Sequence, residues 1–143
     1  MGTLSTLFIA LVLSVNTTNA QAETEVAGNL ITVSIENITN NSGSVVLALH
    51  TEETFMRGPG IKNAKSEIVD GKIKVTFENV TPGTYAIMAL HDENNNNAMD
   101  FDDSGMPTES YGISNNPMSY GPPQFATAKF NVAYEDLAMD IRF

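Results

Sequence analysis

Along residues 30–38, apolar Ile31, Val33 and Ile35 alternate with polar Thr32, Ser34 and Glu36, the period-two pattern of a half-buried β-strand. Asn40-Asn41-Ser42-Gly43 supplies a turn, and residues 44–50 (SVVLALH) are more continuously apolar, as expected of a strand covered on both faces. The spacing predicts that these two strands form a hairpin. In residues 51–63, Arg57-Gly58-Pro59-Gly60 stops any helix that Glu52 begins. Residues 64–69 and 72–79 then flank Asp70-Gly71, a dipeptide suited to a type I′ hairpin turn because both central positions need positive φ.

Thr81-Pro82-Gly83 makes the next turn, with proline pre-setting φ and Gly83 expected in the left-handed position. Residues 84–91 (TYAIMALH) read as an apolar central strand. A long polar segment follows, over 92–124. Residues 125–134 and 137–143 give two last strands, the final one alternating Leu137, Met139, Ile141 and Phe143 with Ala138, Asp140 and Arg142. The pattern thus predicts an all-β fold: a seven-stranded antiparallel Greek-key β-sandwich, immunoglobulin- or prealbumin-like, without helices. A transmembrane barrel needs at least about eight strands of about 9–11 residues, more and longer than these.

The N-terminus has a different pattern. Residues 7–15 (LFIALVLSV) form a short apolar run, followed by polar residues and then Ala20-Gln21-Ala22, a small-x-small cleavage site. Residues 1–22 therefore read as a secretory signal peptide, although no Lys or Arg precedes the run, and 23–143 as a single β-sandwich domain. The run is well below the roughly 20 apolar residues that span a bilayer, so no integral membrane span is expected after cleavage. The expected location is exported, periplasmic or extracellular. Both compartments can hold far more calcium than cytosol.

Composition narrows the function classes. The 143 residues include no Cys, which removes disulfides, thiolate zinc sites and thiol nucleophiles together. Seventeen Asp and Glu against seven Lys and Arg give a formal charge of −10, which repels nucleic acid, so no nucleic-acid partner is expected. Residues 75–128 contain no Lys or Arg but do contain Glu78, Asp92, Glu93, Asp100, Asp102, Asp103 and Glu109. Crowded carboxylates either splay into water or share a cation.

One spacing in that stretch carries chemistry. With Asp92 as position 1, oxygen-bearing side chains stand at positions 1, 3, 5, 9 and 12: Asp92, Asn94, Asn96, Asp100 and Asp103. Ala98 at position 7 offers its carbonyl. This is the ligand order of a twelve-residue calcium loop. Asn97 replaces the usual glycine at position 6, being the residue that best tolerates positive φ after glycine. Asp103 is shorter than the usual Glu, and Asn at positions 3 and 5 lowers the ligand charge, so calcium affinity is expected to be weak, around 10⁻⁴ to 10⁻³ M. The alternative is an Asn-rich turn whose side chains cap their own backbone.

Other signals are fainter. His91 and His50 each end a strand, so a two-histidine metal site, or a metal-dependent enzyme using His91, is a further reading. No G-x-S-x-G elbow is present. In the segment 105–125, Tyr111 and Tyr120 either grip a glycan or peptide partner or fasten the loop onto the sandwich.

Phe77-Glu78-Asn79-Val80-Thr81-Pro82-Gly83-Thr84-Tyr85-Ala86, His91-Asp92-Glu93-Asn94, Tyr111-Gly112, Ser114-Asn115-Asn116 and Gly121-Pro122-Pro123 with Phe125 occur in that order. This ordered set, spanning about residues 30–143, resembles the bacterial exported domain-of-unknown-function family 2141. Members often carry Asn-Gly-Asn-Gly where this chain has Asn94-Asn95-Asn96-Asn97. The resemblance implies a β-sandwich of the prealbumin or carboxypeptidase-regulatory kind, and no established activity.

Overall fold

The computed structural model describes residues 27–143. The signal-peptide reading of residues 1–22 lies outside them. Eight strands and one helical turn follow in order: β1 (Asn29–Ile35), β2 (Ser44–His50), β3 (Lys62–Glu67), β4 (Ile73–Val80), β5 (Gly83–Asp92), β6 (Tyr111–Ile113), α1 (Phe125–Ala128), β7 (Phe130–Val132) and β8 (Leu137–Asp140). They form a three-stranded sheet, β4-β1-β8, and a five-stranded sheet, β3-β2-β5-β6, with β7 also paired to β5.

The two sheets meet through side chains that the alternation pointed inward. Ile31, Val33 and Ile35 of β1 join Val45, Leu47 and Leu49 of β2, Ile73 and Phe77 of β4, and Tyr85 and Ile87 of β5 in one buried cluster. Each such aliphatic side chain taken from water contributes roughly 1.5–3 kcal/mol. A smaller cluster covers the outer face of the five-stranded sheet, where Phe55, Ala86, Ile113 and Ala128 are buried with Met88 and Phe125 against them. Phe55 of that second layer packs on buried His50 at the end of β2, while Ser44 at its start is buried against Asn95 and Val46 and Ala48 between them are half-buried.

The predicted hairpin of the first two strands does not form: β1 pairs with β4 and β8, and β2 with β3 and β5. Both strands have a fully apolar face, and stacking the two faces across the core hides both. The Asp70-Gly71 turn does form, with φ of 52° and 71° and reciprocal backbone hydrogen bonds between Val69 and Lys72 of 3.1 and 3.0 Å. Its arms then separate into different sheets. Continued pairing would set Val75 against Ser66 and Phe77 against Ala64, whereas β4 instead matches Ile73, Val75 and Phe77 with Ile35, Val33 and Ile31 of β1.

Other expectations are corrected. The pairing of β1 with β8 is parallel, so the sandwich is not wholly antiparallel. At the β4–β5 crossing the left-handed residue is Asn79, φ 54°, and not Gly83. Residues 125–134 are not one strand. Gln124 starts a single helical turn, which puts Phe125 and buried Ala128 on the side facing the sheet, and only residues 130–132 pair with β5. Strand β6, unforeseen in the long polar segment, lies along residues 88–90 of β5. Gly112 is required there, because a Cβ would sit 2.4 Å from the Arg142 carbonyl.

Candidate functional site

Strand β5 ends at Asp92, which pairs with Ser44 of β2 and is completely buried. Its carboxylate accepts the backbone N–H of Asn96 at 3.0 Å through one oxygen and that of Asn97 at 2.8 Å through the other. Such a tight reversal needs positive φ, and Asn95 (57°) and Asn97 (60°) supply it. Asn94 Oδ1 accepts the Asn96 N–H, and Asn96 Oδ1 accepts the Ala98 N–H. The Asn run thus folds around the buried Asp92 carboxylate, with Asn95 and Asn97 taking the left-handed positions that glycine would otherwise fill.

The turn gathers side chains at Asp100. Asn94 Nδ2 donates to the Asp100 carboxylate at 2.6 Å, and Asn96 Nδ2 donates to it at 2.8 and 3.0 Å. Beneath them lies Glu109, also buried, which accepts the Glu93 N–H at 3.0 Å and the Asp100 N–H at 3.3 Å through different oxygens. Glu109 belongs to the site but not to the spacing motif. It stands far along the chain from Asp92, so only the pairing of residues 110–113 back toward β5 brings it in; the sole sequence signal was its place in the acidic stretch.

Of the anticipated residues, Asp92, Asn94, Asn96 and Asp100 therefore lie together, with Ala98 tied to them by its N–H. Asp103 stands apart on a second turn, exposed. In that turn Thr108 N–H donates to the Asp100 carbonyl, Asp102 N–H to the Met106 carbonyl, and Phe101 bridges Pro107. The Asp102 carboxylate accepts the Ser104 hydroxyl and the N–H groups of Ser104 and Met106. The bond from the Ser104 side chain, followed by that from Met106, holds the Asp102 carboxyl below its ordinary pKa. Among the described residues, no group of three or more His, Cys, Asp or Glu side chains converges in metal-binding geometry.

The two histidines are not brought together. His91 pairs with Val45, while His50 pairs with Ala86, five residues back along β5, or about 17 Å at strand rise. His91 is fully buried, stacked on Phe143 with ring centroids 6.2 Å apart. Its Nε2 lies 2.8 Å from the Ser42 carbonyl, an acceptor, so Nε2 carries the proton. Nδ1 has no hydrogen-bond partner, the nearest charge being Glu93 Oε1 at 3.8 Å. His50 instead meets Thr54 at 3.1 Å and the edge of Phe55, and its burial lowers its pKa from the ordinary 6.5.

Tyr111 and Tyr120 do share a site. Both line a groove of about 760 Å³, together with Met56, Met88, Met99, Phe101 and Met106. Methionine was not singled out by the sequence, because the four thioethers come from three separate segments: the loop holding Met56, β5 with Met88, and the 93–110 connection with Met99 and Met106. A shallower depression shares Tyr111, Ser119, Gly121 and Pro123 with this groove and extends to Arg142 and Phe143.

The family described as "Uncharacterized protein conserved in bacteria (DUF2141)" matches the chain over residues 33–140. No curated protein and no solved structure matches it.

Proposed function

Because the chain belongs to that bacterial family, DUF2141, whose description carries no activity, we propose a role from the site itself: an exported, non-enzymatic β-sandwich module in which the 92–103 segment binds calcium weakly and orders the loops at one end. The observation that carries this reading is the convergence of Asn94 and Asn96 on the Asp100 carboxylate, above buried Asp92. These side chains offer hard oxygens, and calcium takes six to eight of them at distances that tolerate irregular geometry. Exchanging the amide donors now on Asp100 for a cation requires rotation of the two Asn side chains to present Oδ1 in place of Nδ2, with loss of the bonds that Oδ1 now accepts from the Asn96 and Ala98 N–H groups, which keeps the affinity weak. The Ala98 carbonyl completes the set, and Asp103, on the next turn, is not needed.

The absence of Lys and Arg from residues 75–128 favours the same reading, since a cation relieves repulsion that no side chain in that stretch does. Export rests on the sequence of residues 1–22. The Tyr85 hydroxyl, which donates to the Thr81 carbonyl at 2.8 Å, makes a corner of the kind found in Greek-key immunoglobulin-like sandwiches and supports that finer description of the fold. A metal-dependent enzyme using His91 is disfavoured, because a fully buried ring stacked on Phe143 offers no face to a substrate.

A heteronuclear NMR titration tests the reading. Millimolar calcium is expected to move the side-chain amide signals of Asn94 and Asn96 and the backbone signals of 96–100, with saturation near 10⁻⁴ to 10⁻³ M. Unmoved Asn94 and Asn96 amides at 10 mM calcium refute it.

A further inference from the structure

The methionine groove adjoins the proposed cation turn, whose Met99 and Phe101 line it, but its chemistry is different. Met56, Met106, Phe101 and Tyr120 are all more than half exposed, so they form the rim of an open channel rather than the wall of a closed cavity. Isolated exposed apolar residues are ordinary, whereas these line one continuous groove. Its 760 Å³ falls within the roughly 300–1,000 Å³ of ligand pockets.

Two observations bear on the occupant. First, the lining is thioether and aromatic, with hardly a hydrogen-bond donor besides Ser119 and the tyrosine hydroxyls. Sugars need many such donors and acceptors, whereas unbranched thioethers adapt to apolar side chains of varied shape. Second, Asp102 and Asp103 sit on the turn between Phe101 and Met106, and the adjoining acidic stretch carries no Lys or Arg, so this end of the groove is negative. Arg142 lies in the adjoining depression and does not line the groove itself.

We propose that this groove binds an extended apolar peptide segment flanked by basic residues, its apolar side chains seated among the methionines and its positive end against Asp102 and Asp103. The Asp102 carboxylate is already ordered by Ser104 and Met106, so it meets a lysine or arginine without further loss of freedom. The channel being open at its rim, a chain can enter laterally instead of threading.

The test is fluorescence anisotropy of the purified protein with a labelled hexapeptide of four leucine or phenylalanine residues followed by two lysines. Two control peptides replace the lysines by glutamates or the apolar residues by serines. The lysine peptide is expected to bind saturably, at least tenfold tighter than either control at low salt. Phe101→Ser with Met106→Ser should weaken it at least fivefold, with an unchanged melting curve since both side chains are exposed. Asp102→Asn with Asp103→Asn should remove most of the lysine preference while retaining the apolar part of the affinity. No saturable binding up to 1 mM overturns the proposal. Equal binding of the lysine and glutamate peptides also overturns it, marking a site for uncharged apolar molecules instead, and equal binding of the serine peptide excludes the groove altogether.

Discussion

Glu109 reaches back across the loop to accept the backbone N–H of Asp100 at 3.3 Å, so a buried carboxylate fixes the residue on which the Asn side chains converge. Its other oxygen holds Glu93 at the start of the same turn. One side chain thereby ties both ends of residues 93–100 to the segment leading into β6. Without it, Asp92 and the Asn side chains would hold the turn, with nothing tying it to the segment that leads into β6.

Glu109→Ala should therefore destabilise the fold by about 1–3 kcal/mol, because it strands two backbone donors that share a charged acceptor. Chemical denaturation measures this. A loss below about 0.5 kcal/mol would mean that the turn holds itself. Glu109→Gln keeps one acceptor and should fall between the two.

The core is tested by Leu47→Ala, which removes a fully buried side chain from the centre of the five-stranded sheet and should cost about 2–5 kcal/mol. Leu30→Ala, at a side chain 40% exposed beside the irregularity in β1, should change stability by no more than about 0.5 kcal/mol. Equal losses at the two positions would contradict the assignment of inward faces.

Four strands were legible: residues 31–35 and 73–77 carry the two-residue period of a half-buried face, and 44–50 and 84–91 stand out as continuously apolar runs. The pairing was not legible. Turn chemistry at Asp70-Gly71 specifies two φ angles, and those two angles are present, but whether the arms continue as a ladder depends on which distant strand offers the better apolar match, here β1. Likewise Tyr111-Gly112-Ile113 is too short to show a period; it becomes a strand by pairing with residues 88–90 of β5, and Gly112 leaves room there for the Arg142 carbonyl and the Ile141 side chain. At the candidate site the i, i+2, i+4 spacing of Asp92, Asn94 and Asn96 was readable, as was positive φ at Asn97. Glu109 and the four-methionine groove depend on long-range contacts that local spacing does not encode.

His50 gives the pH dependence a sign. Burial lowers its pKa below the ordinary 6.5, against an opposing contact with Thr54, so the folded state holds it neutral while the unfolded chain takes up a proton near 6.5. Its contribution to stability is fully present above that value and is lost as pH falls through the lower folded-state pKa. Urea unfolding at pH 7, 6 and 5 should show stability falling more in the wild type than in His50→Gln. Parallel changes in the two proteins would remove His50 as a source of acid sensitivity.

Tyr85→Phe should cost about 0.5–1.5 kcal/mol through the lost bond to the Thr81 carbonyl, with the ring still buried. Equilibrium denaturation checks it. A neutral result would show that the Thr81 carbonyl finds water instead and that the corner does not brace the β4–β5 crossing.

The calcium reading is tested most directly by thermal unfolding in chelator, then in 5 mM calcium or 5 mM magnesium, for wild type, Asp100→Asn and Asp103→Asn. A site of roughly 0.5 mM affinity should add about 1.4 kcal/mol at 5 mM calcium, since a ligand bound only by the folded state stabilises it by mass action. That corresponds to a rise of about 5 °C for a domain of this size. The account predicts this rise for calcium over magnesium, its loss in Asp100→Asn and its survival in Asp103→Asn. An unchanged melting temperature in calcium, or an equal rise in all three proteins, would contradict it.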